Sequence, residues 1–323
     1  MKTSYDFRNG EVHRVEDDDA PIHVYSEPTR EEREELRYAL NLDEYDLDAA
    51  LDSEEIPRLE FGDHGCANII WKRPKNVSIG AQLRFDVSSM GLFIRPYTLV
   101  LVTADGEPDF GERDFRGVHT LNDFLLKLLL YTVHHYLGHL KVIKQINAEL
   151  GSKISVSMEN RYYLQMLALS ESLIYYVDGI EANAAVLTKL RAAAHRLDLN
   201  PAQAEDLHDI VIDMQQCGRQ AAIYSSVLSG LMDARGAIIN NNVNTLLKNL
   251  TLISVIFLPL NLVASIGGMS EFSSWTARLD WRVSYGLLVI GMTIAGWLGL
   301  RLIVRLASGQ GLGWHWPRRL RKR

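Results

Sequence analysis

Cysteine is nearly absent: Cys66 and Cys217 stand 151 positions apart in a chain of 323 residues. Such a pair is neither a disulfide framework nor a zinc-ribbon spacing, so the bulk of the chain belongs in a reducing compartment. The opening residues, Met1-Lys2-Thr3-Ser4-Tyr5-Asp6, lack an apolar run, which argues against a cleaved signal peptide. No nucleophile-elbow sequence is present, so the serines, histidines and aspartates that any chain of this length contains do not read as a hydrolase, and the expectation is that the protein is not an enzyme. Proline is missing between Pro201 and Pro259, so nothing there interrupts a helix. Charge of one sign is scarce at each end. Residues 1–60 hold 19 acids against 7 bases, whereas residues 301–323 hold seven bases (Arg301, Arg305, Arg318, Arg319, Arg321, Lys322 and Arg323) and no acid. With 47 % hydrophobic and 23 % charged residues, the chain as a whole is not disordered and is long enough for two domains.

What is there is concentrated near the far end. Between Lys248 and Glu271 lie 22 residues without a charge, and between Arg282 and Arg301 lie 18. As helices these runs reach roughly 33 and 27 Å, enough to cross a hydrocarbon core of about 30 Å. The alternative is a pair of buried core helices. Trp275, Trp281 and Tyr285 flank the runs as interface anchors do, and Arg301 and Arg305 can snorkel at the end of the second. The connection from Gly267 to Arg282 is short, so the spans form an antiparallel hairpin. It carries Glu271, Arg278, Asp280 and Arg282, a net charge of zero, while seven bases follow the second span. The positive-inside rule then puts both termini in the cytoplasm and the connection outside. A basic tail could also touch nucleic acid, but its place directly after an apolar run favours a membrane surface, and no nucleic-acid partner is expected.

The N-terminal part reads as α/β. Thr29 and Glu32 form a capping box for a helix from Arg30 to Leu40, and strand-like runs follow at Arg58–Phe61, Ala67–Trp71, Leu83–Val87, Leu92–Arg95 and Leu99–Thr103. Beyond Thr120, which with Asp123 again fits a cap, the pattern is helical at 121–149, 159–198 and 201–266, with Pro201 at the first helical position. A 66-residue helix would be about 100 Å long, too long to bury its apolar face in one small domain, so it reads as a stalk packed against copies of itself. Gly218, Gly230 and Gly236 weaken it locally. The resulting plan is an N-terminal cytoplasmic α/β domain over 1–120, a helical region with the stalk over 121–248, a first transmembrane helix over 249–270, an external loop over 271–282, a second transmembrane helix over 283–305 and a basic cytoplasmic tail over 306–323.

At a spacing of three and four, Asn244, Leu247, Thr251, Ser254, Leu258, Asn261 and Ser265 share one helix face, which holds every Ser, Thr and Asn from Thr251 to Ser265. A polar stripe at membrane depth must meet other helices or water. It can line a channel between several hairpins, with leucines as dewetting constrictions, or supply hydrogen bonds between helices. The second span lacks such a stripe; Gly291, Ala295 and Gly299, four apart, fit close helix packing, and it reads as the outer helix.

The segment Asn242-Val243-Asn244-Thr245-Leu246-Leu247-Lys248-Asn249-Leu250-Thr251, then Ile256-Phe257-Leu258-Pro259-Leu260, then Ile266-Gly267-Gly268-Met269-Ser270 closely resembles the membrane entrance and first span of CorA-type metal ion transporters. The resemblance covers most of the chain. It implies an α+β cytoplasmic domain of α/β/α sandwich type, long stalk helices and two transmembrane helices in a homopentameric funnel, embedded in the bilayer of the inner (plasma) membrane. It implies first spans around a pore, with Asn244, Leu247, Leu250, Leu258, Asn261 and Ser270 matching the family's pore-lining positions. Together with the stripe this gives a pore lined by Asn244, Leu247, Leu250, Thr251, Ser254, Leu258, Asn261 and Ser265, and a selectivity mouth of Gly268, Met269, Ser270 and Glu271. The family signature Gly-Met-Asn stands here as Gly268-Met269-Ser270, its preceding aromatic is Gly267, and the outer Met-Pro-Glu-Leu motif is absent, although Glu271 and Asp280 keep acids nearby. A serine ring is shorter than a ring of Asn amides and holds a hydrated magnesium ion less selectively. Asn261, roughly 13 Å deeper along the helix, is the residue expected to supply polar contact in its place.

The implied activity is transport of divalent metal cations such as Mg²⁺, Zn²⁺ or Co²⁺, as passive flow; the alternatives are proton-coupled zinc transport of the ZntB type, and a non-conducting membrane-anchored scaffold or regulator. No cofactor is expected beyond divalent cations as transported or regulatory ions, and no set of regulatory metal ligands can be matched to positions here. His134, His135 and His139 read as exposed helix histidines rather than a zinc site, Glu16-Asp17-Asp18-Asp19 as a solvated acidic arm, and Gly309-Gln310-Gly311-Leu312-Gly313, with no strand before it, as a linker rather than a phosphate loop.

Overall fold

The computed structural model describes residues 1–308 except 41, 43, 64, 76–77, 80–82, 111–112 and 155–159. The Gly309–Gly313 stretch and most of the basic tail lie outside the described residues. The chain divides into two compact units, Met1–Ala234 and Arg235–Arg323.

The first unit is built on a seven-stranded sheet. In chain order the elements are β1 (Lys2–Arg8), β2 (Glu11–Val15), β3 (Ile22–Ser26), α1 (Arg30–Leu40), α2 (Glu44–Leu51), β4 (Arg58–Phe61), β5 (Ala67–Pro74), β6 (Ser78–Ile79), β7 (Leu83–Arg84), β8 (Val87–Ile94), β9 (Leu99–Thr103), α3 (Leu121–Ile154), α4 (Asn160–Ala192) and the start of α5 (Pro201–Gly267). Sheet order is β2-β1-β3-β9-β8-β5-β4, with β6 and β7 forming a separate two-stranded piece. Within the large sheet, β3 and β9 are parallel and the other neighbours antiparallel. Both β8 and β9 are buried along their whole length. One face of the sheet meets α3 and α4 through a large core that includes Trp71, Phe85, Met90, Leu101, Tyr136 and Tyr176. The other packs Phe93, Val100 and Val102 against Leu36, Leu47 and Ala50 of α1 and α2. The architecture is thus the expected α/β/α sandwich. Gly91 is required where α2 crosses β8: a Cβ there would meet Ala50 at 2.7 Å.

Helix starts follow the sequence signals. Glu32 N–H donates to Thr29 Oγ1 (3.3 Å) and Thr29 N–H to Glu32 Oε2 (2.8 Å), the reciprocal capping box. Thr120 and Asp123 do the same for α3 at 3.0 and 3.1 Å. The start of α5 carries a third reciprocal pair that sequence reading passed over: Gln203 N–H donates to Asn200 Oδ1 (2.9 Å) and Asn200 N–H to Gln203 Oε1 (3.0 Å). Gln203 Nε2 also donates to Asp123 Oδ1 at 2.7 Å, which ties the starts of α3 and α5 together.

Helix α4 is held to the sheet by a buried amide. Strand β4 pairs with β5 only as far as Ile70, so the peptide groups of Lys72 face no strand on that side. Asn183, fully buried, accepts from Lys72 N–H at 3.0 Å and donates to Lys72 C=O at 2.7 Å. A side-chain amide thereby replaces a missing ladder partner.

Several expectations change in detail. The run at Leu83–Val87 is split, β7 ending at Arg84 and β8 beginning at Val87, and β8 extends over the span expected to start at Leu92. Strands β1 to β3 and helix α2 had no counterpart in the sequence reading. Helix α3 reaches Ile154 rather than residue 149, and α4 ends at Ala192 with a 3-10 turn at Ala194–Leu197 after it. Helix α5 is continuous for 67 residues, with Pro259 inside it. Of its glycines, Gly218 faces α4: a Cβ there would stand 3.4 Å from Ile180 Cγ2, ordinary van der Waals contact.

Candidate ion-conduction site

The second unit contains the membrane-length helices: α5 from Arg235 onward, then α6 (Ser270–Trp275) and α7 (Trp281–Ser308). Only 6 % of each apolar window is buried, which removes the core-helix alternative and leaves two helices long and apolar enough to cross a membrane. The connection between them is not plain loop, since it forms α6 and α7 begins at Trp281.

Contacts between α5 and α7 fix the rotation of both. Along the uncharged run of α5, from residue 249 to Gly267, the shielded positions are Leu252, Ile256, Leu260 and Gly267. A Cβ on Gly267 would meet Leu288 Cδ2 at 2.5 Å, and one on Gly296 would meet Leu260 at 3.4 Å, so each glycine receives a leucine from the other helix. On α7 the shielded row is Ser284, Leu288, Met292 and Gly296. The contact with α5 does not use the small-residue row noted in the sequence: Gly291 and Ala295 are exposed in the single chain, and Gly299 alone of the three is half-shielded. Small residues occur on two sides of α7, and the leucine knobs decide which side meets α5.

With a helix advancing about 100° per residue, the α7-facing positions of α5 cluster within roughly 40° of Ile256, whereas Asn244, Leu247, Thr251, Ser254, Leu258, Asn261 and Ser265 centre roughly 180° away. All seven, and Leu250 beside them, are exposed in the single chain. The Thr251 and Ser254 hydroxyls donate back to their own helix, to Leu247 C=O (2.9 Å) and Leu250 C=O (3.0 Å), which leaves oxygen lone pairs outward. The polar stripe is therefore not used to bind α5 to α7.

The outer mouth is a tight turn. Helix α5 ends with Gly268 N–H on Ala264 C=O (3.1 Å) and Met269 N–H on Ile266 C=O (3.1 Å). Met269 is extended (φ −83°, ψ 150°) and reverses the chain into α6. Ser270 Oγ and Glu271 Oε2 are 3.4 Å apart and both residues are exposed. Asp280, expected as a second acid near the mouth, instead caps α7: its carboxylate accepts from Arg282 N–H at 3.0 Å and its carbonyl from Ser284 N–H at 3.1 Å. Sequence reading assigned Tyr285 to the lipid interface and missed its hydroxyl, which donates to Gly267 C=O at 3.2 Å. Arg301 stacks over Trp297 at 4.3 Å.

The rival sites resolve in the first unit. His134, exposed, sits 3.1 Å from Asp114. His139 is buried, not exposed as expected: its Nδ1 is 2.6 Å from the Tyr176 hydroxyl, and His135 stacks edge-on at 4.5 Å. Burial, then the neighbouring His135, pushes the His139 imidazole down to about 4, so it is held neutral. Burial, then the Arg73 guanidinium, lowers His135 as well. The acidic residues 16–19 are exposed between β2 and β3, with Asp18 on Lys2 at 2.7 Å. Cys66 and Cys217 are both free, and burial drives the Cys217 thiol up to about 12. Among the described residues no three His, Cys, Asp or Glu side chains are grouped to hold a metal ion.

An α/β/α domain followed by a two-helix hairpin with a polar stripe turned away from its own partner helix defines a class of two-span membrane protein. The profile of the family described as CorA-like Mg²⁺ transporter protein matches residues 22–305, and the chain belongs to that family. The cobalt/magnesium transport protein CorA of Methanocaldococcus jannaschii is 24 % identical over 254 residues, covering 76 % of this chain and 78 % of that protein. The complete structure of the CorA magnesium transporter from the same organism superposes with a TM-score of 0.75 at 20 % identity, covering 94 % of this chain and 98 % of the other. The full-length CmaX protein gives 0.70 at 15 % identity, covering 93 % and 96 %. The ZntB cytoplasmic domain from Vibrio parahaemolyticus gives 0.58 at 13 % identity, covering 75 % and 98 %. These structures share the fold.

Proposed function

We propose that this chain conducts divalent metal cations across the inner membrane as a homopentamer, with the C-terminal part of α5 around the axis, α7 outside it and both termini in the cytoplasm. The observation that carries the reading is the opposition of the two faces of α5: one packs on α7 and the other, exposed, holds the polar residues. Amide and hydroxyl groups at membrane depth have no partner in lipid, so this face needs copies of itself or water. The cation path runs from Glu271 and Ser270 past Ser265 and Asn261, through constrictions at Leu258, Leu250 and Leu247 flanking Ser254 and Thr251, to Asn244. Acidic cytoplasmic surface concentrates cations by its field rather than by ligation. The mouth Gly268-Met269-Ser270 replaces a carboxamide by a hydroxyl, and Asn261 supplies the carboxamide ring deeper in the path.

The test is uptake of Mg²⁺, Zn²⁺, Co²⁺ and Ni²⁺ by liposomes holding the purified full-length chain, with and without a pH gradient. Uptake of divalent cations independent of the gradient is the expected result. Zinc uptake that requires the gradient points to proton coupling, and no flux of any ion to a scaffold or regulator.

A further inference from the structure

The geometry points to Tyr285 of α7 as the positioning residue that sets the outer mouth, acting through the carbonyl of Gly267. This rests on the cation-path reading above. The last carbonyls of a helix have no intrahelical donor. At the end of α5 the Gly267 carbonyl is one of these, and it accepts from the Tyr285 hydroxyl at 3.2 Å. The Tyr285 ring packs edge-on against Phe272 of α6, centroids 5.9 Å apart. One side chain on α7 thus touches the residue before the mouth and a residue just after it, with Gly268, Met269, Ser270 and Glu271 in between.

Leu288 fills the space beside Gly267: a Cβ there would lie 2.5 Å from Leu288 Cδ2, so a side chain at 267 would have to displace the tip of that leucine. The ring that braces the turn comes from α7. Met269, in extended backbone, has no side-chain cap, and the Ser270 hydroxyl donates to the neighbouring Glu271 carboxylate at 3.4 Å. The contacts flanking the turn therefore hold the orientation in which Ser270 and Glu271 meet the incoming ion.

Tyr285→Phe deletes the hydroxyl and keeps the ring on Phe272; Tyr285→Leu deletes both. Amide hydrogen exchange of the full-length protein in lipid nanodiscs, read on peptides covering Gly268 to Phe272, tests the brace without reference to transport. Exchange about two- to tenfold faster in Tyr285→Phe is expected for loss of one hydrogen bond, with a similar shift in the Zn²⁺-to-Mg²⁺ uptake ratio of liposomes. Tyr285→Leu, which also loses the ring contact, should speed exchange further than Tyr285→Phe. Unchanged exchange in Tyr285→Phe overturns the brace, whether or not the chain conducts. Faster exchange with an unchanged ratio in a conducting protein overturns the role toward ions. A wild type that conducts nothing while exchange still responds overturns the transport reading, and the role of Tyr285 toward cations with it.

Discussion

Replacing Asn261 by Leu separates a wet axis from a lipid-facing stripe, because the two arrangements predict effects of opposite sign. Asn261 lies on the exposed face of α5, roughly 140° around the helix from Ile256 and its α7 contact, so the substitution touches no contact within the hairpin. If the amide faced hydrocarbon, exchanging it for an isobutyl group would relieve an unpaired polar group worth about 1–3 kcal/mol per chain, and the assembled protein would melt several degrees higher. If the amides ring a hydrated path, no such relief exists. The introduced isobutyl group would then sit roughly 4.5 Å along the axis from Leu258, joining two apolar rings into one constriction longer than a water diameter. Divalent uptake should fall by about tenfold or more, with a melting temperature unchanged or lower. Nanodisc melting curves and liposome uptake on one preparation read both quantities. A raised melting temperature with unchanged uptake would refute the reasoning and turn the stripe outward.

Three further outcomes follow from the first unit. Asn183→Ala orphans the buried N–H and C=O of Lys72, and a loss of about 2–5 kcal/mol is expected in urea unfolding of the full chain; a loss below about 1 kcal/mol would show that water satisfies the strand. His139 is neutral in the fold with a pKa of about 4, below its unfolded value near 6.5. Its contribution is complete above about pH 6.5 and is lost as pH falls toward 4, so stability should drop by about 2 kcal/mol between about pH 7.5 and 5, and a slope unchanged by His139→Asn would sink that assignment. Gly91→Val should destabilise by about 1–3 kcal/mol through the clash with Ala50, with Ala50→Gly partly restoring stability in a double-mutant cycle.

The features legible in the sequence are local ones. The uncharged runs, the hydroxyl and carboxamide residues at helical spacing, the capping boxes at Thr29 and Thr120 and the long proline-free stretch each depend on neighbours within a few positions. Helix geometry alone converts those spacings into faces and lengths. Strands β1 and β2 escaped because the antiparallel pair of Lys2–Arg8, second from the sheet edge, with the edge strand Glu11–Val15 mixes polar and apolar residues and has no continuous apolar run. Strand β3 finds its parallel partner in β9, whose residue Leu99 pairs with Ile22, far along the chain.

Tertiary structure decided the rest, since it alone chooses among partners the sequence leaves equivalent. His139 looks like any helix histidine until Tyr176, 37 positions away, covers it. Asn183 has no local signal, because its purpose is a gap left where β4 ends. Gly291, Ala295 and Gly296 are all small enough for close packing, and only the leucine at position 260 meeting Gly296, with Leu288 against Gly267, fixes how α7 is turned. The sequence by itself determined that α5 has a polar edge. Which way that edge points depends on steric fit between helices, a property of two surfaces together and of neither segment alone.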